Sequence, residues 1–121
     1  MVLLKNQDNL LPLDKSKYKN ILVTGPLAME TNYAISRYGP SHNPVTNVVD
    51  GVKNYVGNAA TVTYVKGCDI VDATWPESEI IETPLTDKEQ ADIDAAVAQA
   101  KKSDVVIAVV GLRKHPSSRS Y

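Results

Sequence analysis

The stretch SDVVIAVVG, residues 103–111, decides the fold. Its six central residues, 105–110, are all apolar, and the run is bounded by Ser-Asp before it and Gly111 after it. A short segment that is apolar on both faces is typical of a strand inside a parallel sheet, where helices cover each face. The stretch therefore predicts a strand that needs a helix on each face and a neighbouring strand on each side.

Two further strands are predicted upstream. Residues 20–24, NILVT, form a short apolar run that Gly25-Pro26 stops, and residues 61–65, TVTYV, are rich in β-branched side chains. Since each strand is separated from the next by a helical pattern, the connections are crossovers and the sheet is parallel.

Two helices are predicted between the strands. The first covers 44–57, where five valines recur at the spacing of one helix face: Val45, Val48, Val49, Val52 and Val56. The second follows a capping box, in which Thr86 and Glu89 satisfy the first turn, and its apolar face runs from Ile93 to Ala100.

These elements predict an α/β fold, a three-layer sandwich with a mainly parallel sheet. The 121 residues form a single domain, in which 1–19 is an extended lead-in and 112–121 is a polar tail. Three strands are few for this architecture, so we expect a partial domain. If the strands are ordered 2-1-3, the third lies at an open, apolar edge, and such edges pair with other chains. We therefore predict a homodimer through this edge.

Composition excludes several classes of partner. The net charge is -1, which gives no electrostatic reason to expect nucleic acid or an anionic membrane surface. No apolar run approaches the ~20 residues of a membrane span, and the three apolar residues after Met1 are too few for a signal peptide. The single cysteine cannot form an internal disulfide.

Ligands of open α/β sheets bind at the carboxyl ends of the strands. The loops that begin there are residues 25–43, 66–85 and 111 onward. The turn after Gly25 lacks the glycine pattern of a phosphate-binding loop, so no nucleotide cofactor is expected. Arg37 and Tyr38 could hydrogen-bond sugar hydroxyls, but Arg37 could equally pair with a structural carboxylate. Trp75 could stack on a sugar ring, but a single tryptophan before a proline more often anchors its own loop.

The remaining polar candidates favour structural roles. An acidic loop could hold calcium, but it lacks the EF-hand spacing and is better explained as solvated; its carboxylates are Asp69, Asp72, Glu77, Glu79 and Glu82. His42 and His115 have no metal-ligand spacing, so no metal site is predicted. Cys68 is expected to be buried as a small apolar residue.

Five segments occur in the order VLLKNQDNLLPL (2–13), KNILVTGPLA (19–28), RYGPSHNPVTNVVDGVKNYVG (37–57), YVKGCDI (64–70) and SDVVIAVVG (103–111). Together they resemble the second domain of glycoside hydrolase family 3, the family of β-glucosidases and β-xylosidases. The resemblance implies a six-stranded α/β sandwich joined to an N-terminal barrel that supplies an aspartate nucleophile. It also implies retaining hydrolysis of β-linked sugars, by members that are often bacterial and periplasmic or secreted.

The chain departs from that pattern in ways that bear on catalysis. The segment that would carry the nucleophile is not in it, the remaining strands do not follow, and 105–121 contains no aspartate or glutamate. Hydrolysis with retention of the anomeric configuration needs a nucleophilic carboxyl group and an acid/base carboxyl group about 5–5.5 Å apart. We therefore assign no catalytic residue and expect a fragment of a family 3 enzyme that is inactive alone, with Arg37, Tyr38 and Trp75 as part of a sugar-binding wall. The alternative is a non-catalytic module that binds oligosaccharide or docks on a separate barrel domain.

Overall fold

A computed structural model describes residues 2–31, 44–69 and 84–111. The strands and helices, in chain order, are β1 (Asn20–Thr24), α1 (Val48–Val56), β2 (Thr61–Val65), α2 (Asp87–Ala100) and β3 (Val105–Ala108). Short 3-10 turns lie at Gln7–Asn9 and Gly57–Ala59.

The three strands form one parallel sheet in the order β2-β1-β3. Ile21 of β1 lies opposite Val62 of β2 on one side and opposite Val105 of β3 on the other. The predicted α/β class, the parallel pairing and the position of β1 in the centre are thereby confirmed. β3 ends at Ala108, two residues before the apolar run does.

α1 covers one face of the sheet. Successive strand residues point to opposite faces, so Ile21 and Val23 share a face, and both are buried against Val49 and Val56 of α1. β2 and β3 contribute partly buried side chains to this layer. The valine periodicity of the sequence therefore predicted the core-facing side of α1.

α2 packs on the opposite face, against β1 and β2. Leu22 points to this face and is fully buried. A helix, the sheet and a second helix give the three layers that the sequence predicted.

The two helix starts differ in how well the sequence located them. The capping box at α2 is confirmed, because the Thr86 side chain accepts from the Glu89 N–H while Glu89 Oε2 accepts from the Thr86 N–H at 2.7 Å. α1 begins at Val48, four residues later than predicted, because Asn47 caps it: Asn47 Oδ1 accepts from the Asp50 N–H at 2.8 Å. An N-cap residue keeps extended backbone, which places Val45 and Thr46 outside the helix.

Asp104 links the amino end of β3 to the amino end of β1 by hydrogen bonds. Its Oδ2 accepts from the backbone N–H of both Lys19 and Asn20 at 2.8 Å. These two backbone donors stabilise the carboxylate, so they lower the pKa of Asp104. The turn before β3 is thus held to the start of β1.

Within residues 2–31, 44–69 and 84–111, the apolar side chains of β3 are more exposed than those of β1. On the α2 side, Leu22 is 0% exposed, whereas Val106, its neighbour across the β1–β3 pairing, is 43% exposed. Val110, just past the strand, is 75% exposed. Among the helices that the structure describes, none has the length and apolar character to cross a membrane.

Candidate functional site

The carboxyl ends of the three strands meet around Gly25. The Gly25 N–H donates to Lys66 O, just past β2, at 3.1 Å, and the Val109 N–H, just past β3, donates to Thr24 O at 2.8 Å. A Cβ built on Gly25 would lie 2.2 Å from Val109 O. Only a residue without a side chain lets the chain past β3 approach β1 this closely.

The turn after β1 is held to the start of α1. The Ala28 N–H donates to Gly25 O at 3.2 Å, and the Val49 N–H donates to Ala28 O at the same distance. The Tyr64 hydroxyl also donates to Gly25 O, at 3.4 Å. Partial burial raises the pKa of Tyr64, so the hydroxyl stays protonated and remains a donor.

An ion-pair network links the end of β2 to the first turn of α2. Asp69 pairs with Lys66, and also with Lys88 at 3.3 Å; Lys88 in turn pairs with Asp92 at 2.8 Å. The hydrogen bonds from Lys66 and Lys88 lower the pKa of Asp69. A general acid in glycoside hydrolysis needs a raised pKa, so the environment of Asp69 is the opposite of what that role requires.

The predicted sugar-binding residues Arg37, Tyr38 and Trp75 lie outside the described residues, and their role stays a prediction. His42, His115 and four members of the acidic loop also lie outside them. Asp69, the fifth member, is held by two lysines. In the described ranges 2–31, 44–69 and 84–111, no group of three or more His, Cys, Asp or Glu side chains lies close enough together to hold a metal ion.

The prediction that Cys68 is buried was wrong. Its side chain is exposed, because β2 ends at Val65 and Cys68 follows Gly67 in the loop beyond the sheet. The network around Asp69 was missed as well. Lys66, three residues before Asp69, was a local signal for it, whereas the contact with Lys88 spans 19 residues and has no sequence signature.

A separate cavity of about 400 Å³ lies between the lead-in, α1 and the sheet. Its lining is mostly apolar and includes Pro12, Val52 and Ile107. Lys15 lies over the ring of Tyr55, with its Nζ 5.2 Å from the ring centroid. The cavity has no carboxylate in its lining, so it does not offer the groups that glycoside hydrolysis uses.

The parallel sheet with a helix on each face defines an open α/β domain, a class in which ligands bind at the carboxyl ends of the strands. Residues 1–120 match the family model described as the glycosyl hydrolase family 3 C-terminal domain. The chain therefore belongs to glycoside hydrolase family 3, as the sequence resemblance predicted.

Named relatives agree with this membership. The chain is 38% identical over 117 residues to a β-xylosidase of Formosa agariphila, covering 92% of this chain and 14% of that protein. It is 39% identical over 120 residues to the periplasmic β-glucosidase of Salmonella typhimurium, covering 92% of this chain and 15% of that protein.

A solved structure shares the fold. The β-glucosidase EmGH1 of Erythrobacter marinus superposes with a TM-score of 0.69 at 30% identity, covering 91% of this chain and 15% of that chain. The chain thus spans about a seventh of the length of the relatives that it matches.

Proposed function

We propose that this chain serves as the non-catalytic α/β half of a sugar site in a family 3 glycosidase that hydrolyses β-linked glucosides or xylosides with retention, and that the chain alone does not hydrolyse them. The observation that carries the proposal is the match of residues 1–120 to the C-terminal domain of that family. Relatives named as β-xylosidase and β-glucosidase support the substrate class.

The electrostatics of the carboxyl edge support the absence of acid/base chemistry in the chain alone. A retaining mechanism uses one carboxyl group as nucleophile and another, about 5–5.5 Å away, as acid and then base. At the described part of this edge, Asp69 is exposed and its pKa is lowered by Lys66 and Lys88. A carboxylate held in its charged form by two ammonium groups has no proton to give a leaving group near neutral pH.

The packing of the sheet supports a role that depends on a larger assembly. Among the described residues, the buried apolar side chains are six: Ile21, Leu22, Val23, Ala28, Val49 and Val56. That core is small for a three-layer domain, and β3 has an exposed apolar face next to it. We propose that the nucleophilic carboxyl group comes from a barrel domain that docks beside this sheet.

Within that assembly, the loops after β1 and β2 would form the sugar-binding wall. An indole ring such as that of Trp75 can stack on the apolar face of a pyranose, and a guanidinium such as that of Arg37 can donate to its hydroxyls. Tyr38 would add a second donor beside Arg37.

The absence of activity is tested by assaying the purified chain on aryl β-glucoside and aryl β-xyloside. We expect release of the aryl group no faster than in a buffer blank. Turnover that disappears in Asp69→Asn would refute the proposal, because it would assign the chemistry to a carboxylate of this chain.

The sugar-binding wall is tested by calorimetry with xylo- and cello-oligosaccharides. We expect Trp75→Ala to weaken binding by about tenfold or more, the loss of one stacking contact. Tyr55→Ala is the matched control, because Tyr55 is an exposed aromatic side chain near the C-terminal end of α1, away from the carboxyl edge. Equal effects of the two variants would argue against a sugar site in these loops.

A further inference from the structure

The chain from the end of β2 to the first turn of α2 contains only two basic residues. They are Lys66 and Lys88, whereas the residues between them at 70–85 include four carboxylates and no lysine, arginine or histidine. Any positive charge that residues 66–88 offer to a ligand must therefore come from these two lysines.

Asp69 forms ion pairs with both lysines. One of its carboxylate oxygens pairs with Lys66, and the other lies 3.3 Å from Lys88 Nζ. Lys88 also pairs with Asp92 at 2.8 Å. Two positive and two negative charges thus cancel within one network at the carboxyl edge of the sheet.

The two lysines remain charged and accessible. The hydrogen bond with Asp69 raises the pKa of Lys66, and hydrogen bonds with Asp92 and Asp69 raise the pKa of Lys88, so both stay protonated at neutral pH. The Lys66 and Lys88 side chains are 53% and 71% exposed. A ligand at this edge can therefore reach them, and it is the pairing with Asp69, not burial, that competes with it.

Asp69 has an advantage over any carboxylate that arrives from solution. Gly67 has a φ of +80°, and a Cβ there would lie 3.2 Å from Thr24 Oγ1 and 3.4 Å from Ala96 Cβ. The chain after β2 thus passes close to both β1 and α2, and Asp69 follows two residues later within reach of the lysines. A group tethered by a short stretch of chain acts at an effective concentration in the millimolar range.

We propose that Asp69 is a specificity-determining residue that makes the sugar-binding wall selective for neutral sugars, because it occupies the two lysines that an acidic sugar would need. The carboxylate of a uronic acid is recognised best by an ammonium or guanidinium group, whereas the hydroxyls of a neutral sugar need no opposite charge. The inference rests on the proposed sugar-binding wall and adds the charge of the sugar that it accepts.

The test compares Asp69→Asn with the native chain by calorimetry, using a neutral xylo-oligosaccharide and the same oligosaccharide with a glucuronic acid substituent. Asparagine keeps the size of the side chain and removes its charge, which releases Lys66 and one contact of Lys88. We expect the acidic sugar to bind about three- to fivefold more tightly to Asp69→Asn, the effect of one or two exposed ion pairs. Binding of the neutral sugar should be unchanged.

Salt and a matched variant separate the local charge effect from a general one. The gain should be present at about 0.01 M ionic strength and vanish near 1 M, where the screening length is only about 3 Å. Asp94→Asn makes the same change in net charge at an exposed position of α2, where Asp94 is bonded to Gln90, and it should give no gain. Adding Lys66→Gln and Lys88→Gln to Asp69→Asn should remove the gain.

The outcomes distinguish this inference from the sugar-binding wall on which it rests. A gain in Asp69→Asn no larger than in Asp94→Asn overturns the role of Asp69 and leaves the wall in place if the neutral sugar still binds. Weaker binding of the neutral sugar to Asp69→Asn, with the fold intact by circular dichroism, also overturns it, because Asp69 would then hold the site together. A native chain that binds neither sugar refutes the wall and this inference with it.

Discussion

Gly25 provides the sharpest test of how the carboxyl edge is built. Its φ is +111°, a conformation that side chains rarely adopt, and a Cβ there would lie 2.2 Å from Val109 O and 2.8 Å from Val109 C. Both atoms belong to the backbone of the chain past β3, which is itself hydrogen-bonded to Thr24. The obstacle cannot rotate away, so Gly25→Ala must distort the join between β1 and β3.

The expected cost combines two effects. Backbone strain at such a conformation costs about 1–3 kcal/mol, and forcing an extra carbon into a packed region costs about 1–3 kcal/mol more. Because the colliding atoms are backbone, we expect a loss in the upper half of the summed range, about 4–6 kcal/mol. Domains of this kind are stable by only about 5–15 kcal/mol, so the loss would be a large part of the total.

Alanine substitutions at two other glycines separate the backbone strain from the steric clash. Gly57 has φ +54°, but a Cβ there would meet no atom within 4 Å, so Gly57→Ala should cost only the strain, about 1–3 kcal/mol. Gly51 lies inside α1, where the nearest atom to an added Cβ is Thr46 Cγ2 at 3.8 Å. Gly51→Ala should stabilise the protein by about 0.5–1 kcal/mol, because alanine is the better helix former.

The assay is equilibrium urea unfolding of the native protein and the three variants, followed by circular dichroism. The free energy of unfolding should fall in the order Gly51→Ala, native, Gly57→Ala, Gly25→Ala. A Gly25→Ala variant no less stable than Gly57→Ala would refute the argument that backbone approach of the chain past β3 demands glycine there.

Three further predictions concern caps and charges. Asn47→Ala removes the α1 cap and should lower the free energy of unfolding, measured in urea, by about 1 kcal/mol. Asn54→Ala, at an exposed position of the same helix, should leave the free energy of unfolding unchanged. Equal losses in the two variants would argue against a cap. The pKa of Asp104 is lowered by the Lys19 and Asn20 N–H groups, so its contribution to stability is full above about pH 4, the ordinary value, and is lost as the pH falls through the lower folded pKa. Unfolding of native protein and Asp104→Asn should therefore differ most near neutral pH and converge in acid, and a gap that widens in acid would contradict this sign. Finally, Lys88→Gln should raise the pKa of Asp69, because one of two neighbouring positive charges is removed; NMR titration of the Asp69 carboxyl carbon measures this. Lys102→Gln, at the far end of α2, should leave the pKa of Asp69 unchanged. An unchanged pKa of Asp69 in Lys88→Gln would argue against the ion pair.

The sequence by itself determined the elements of this protein and their type. The strands at residues 20–24 and 61–65 and the capping box of α2 were located from local patterns, because β-branched runs, turn residues and caps act over a few neighbours along the chain. The parallel pairing followed from the same patterns and the crossover rule, whereas the order β2-β1-β3 was only one possible arrangement until the structure showed it. The family membership also followed from short motifs, read in order.

The tertiary structure decided what those elements do to one another. Nothing local to Gly25 predicts that the backbone of Val109, 84 residues later, lies against it. Nothing local to Asp69 predicts its ion pair with Lys88, 19 residues later. The apolar run 105–110 predicted a helix packed on each face of β3. Val106 is nevertheless exposed, because α2 packs on β1 and β2. Contacts between residues far apart in sequence depend on how the layers close over the sheet, and a local pattern contains no information on that closure.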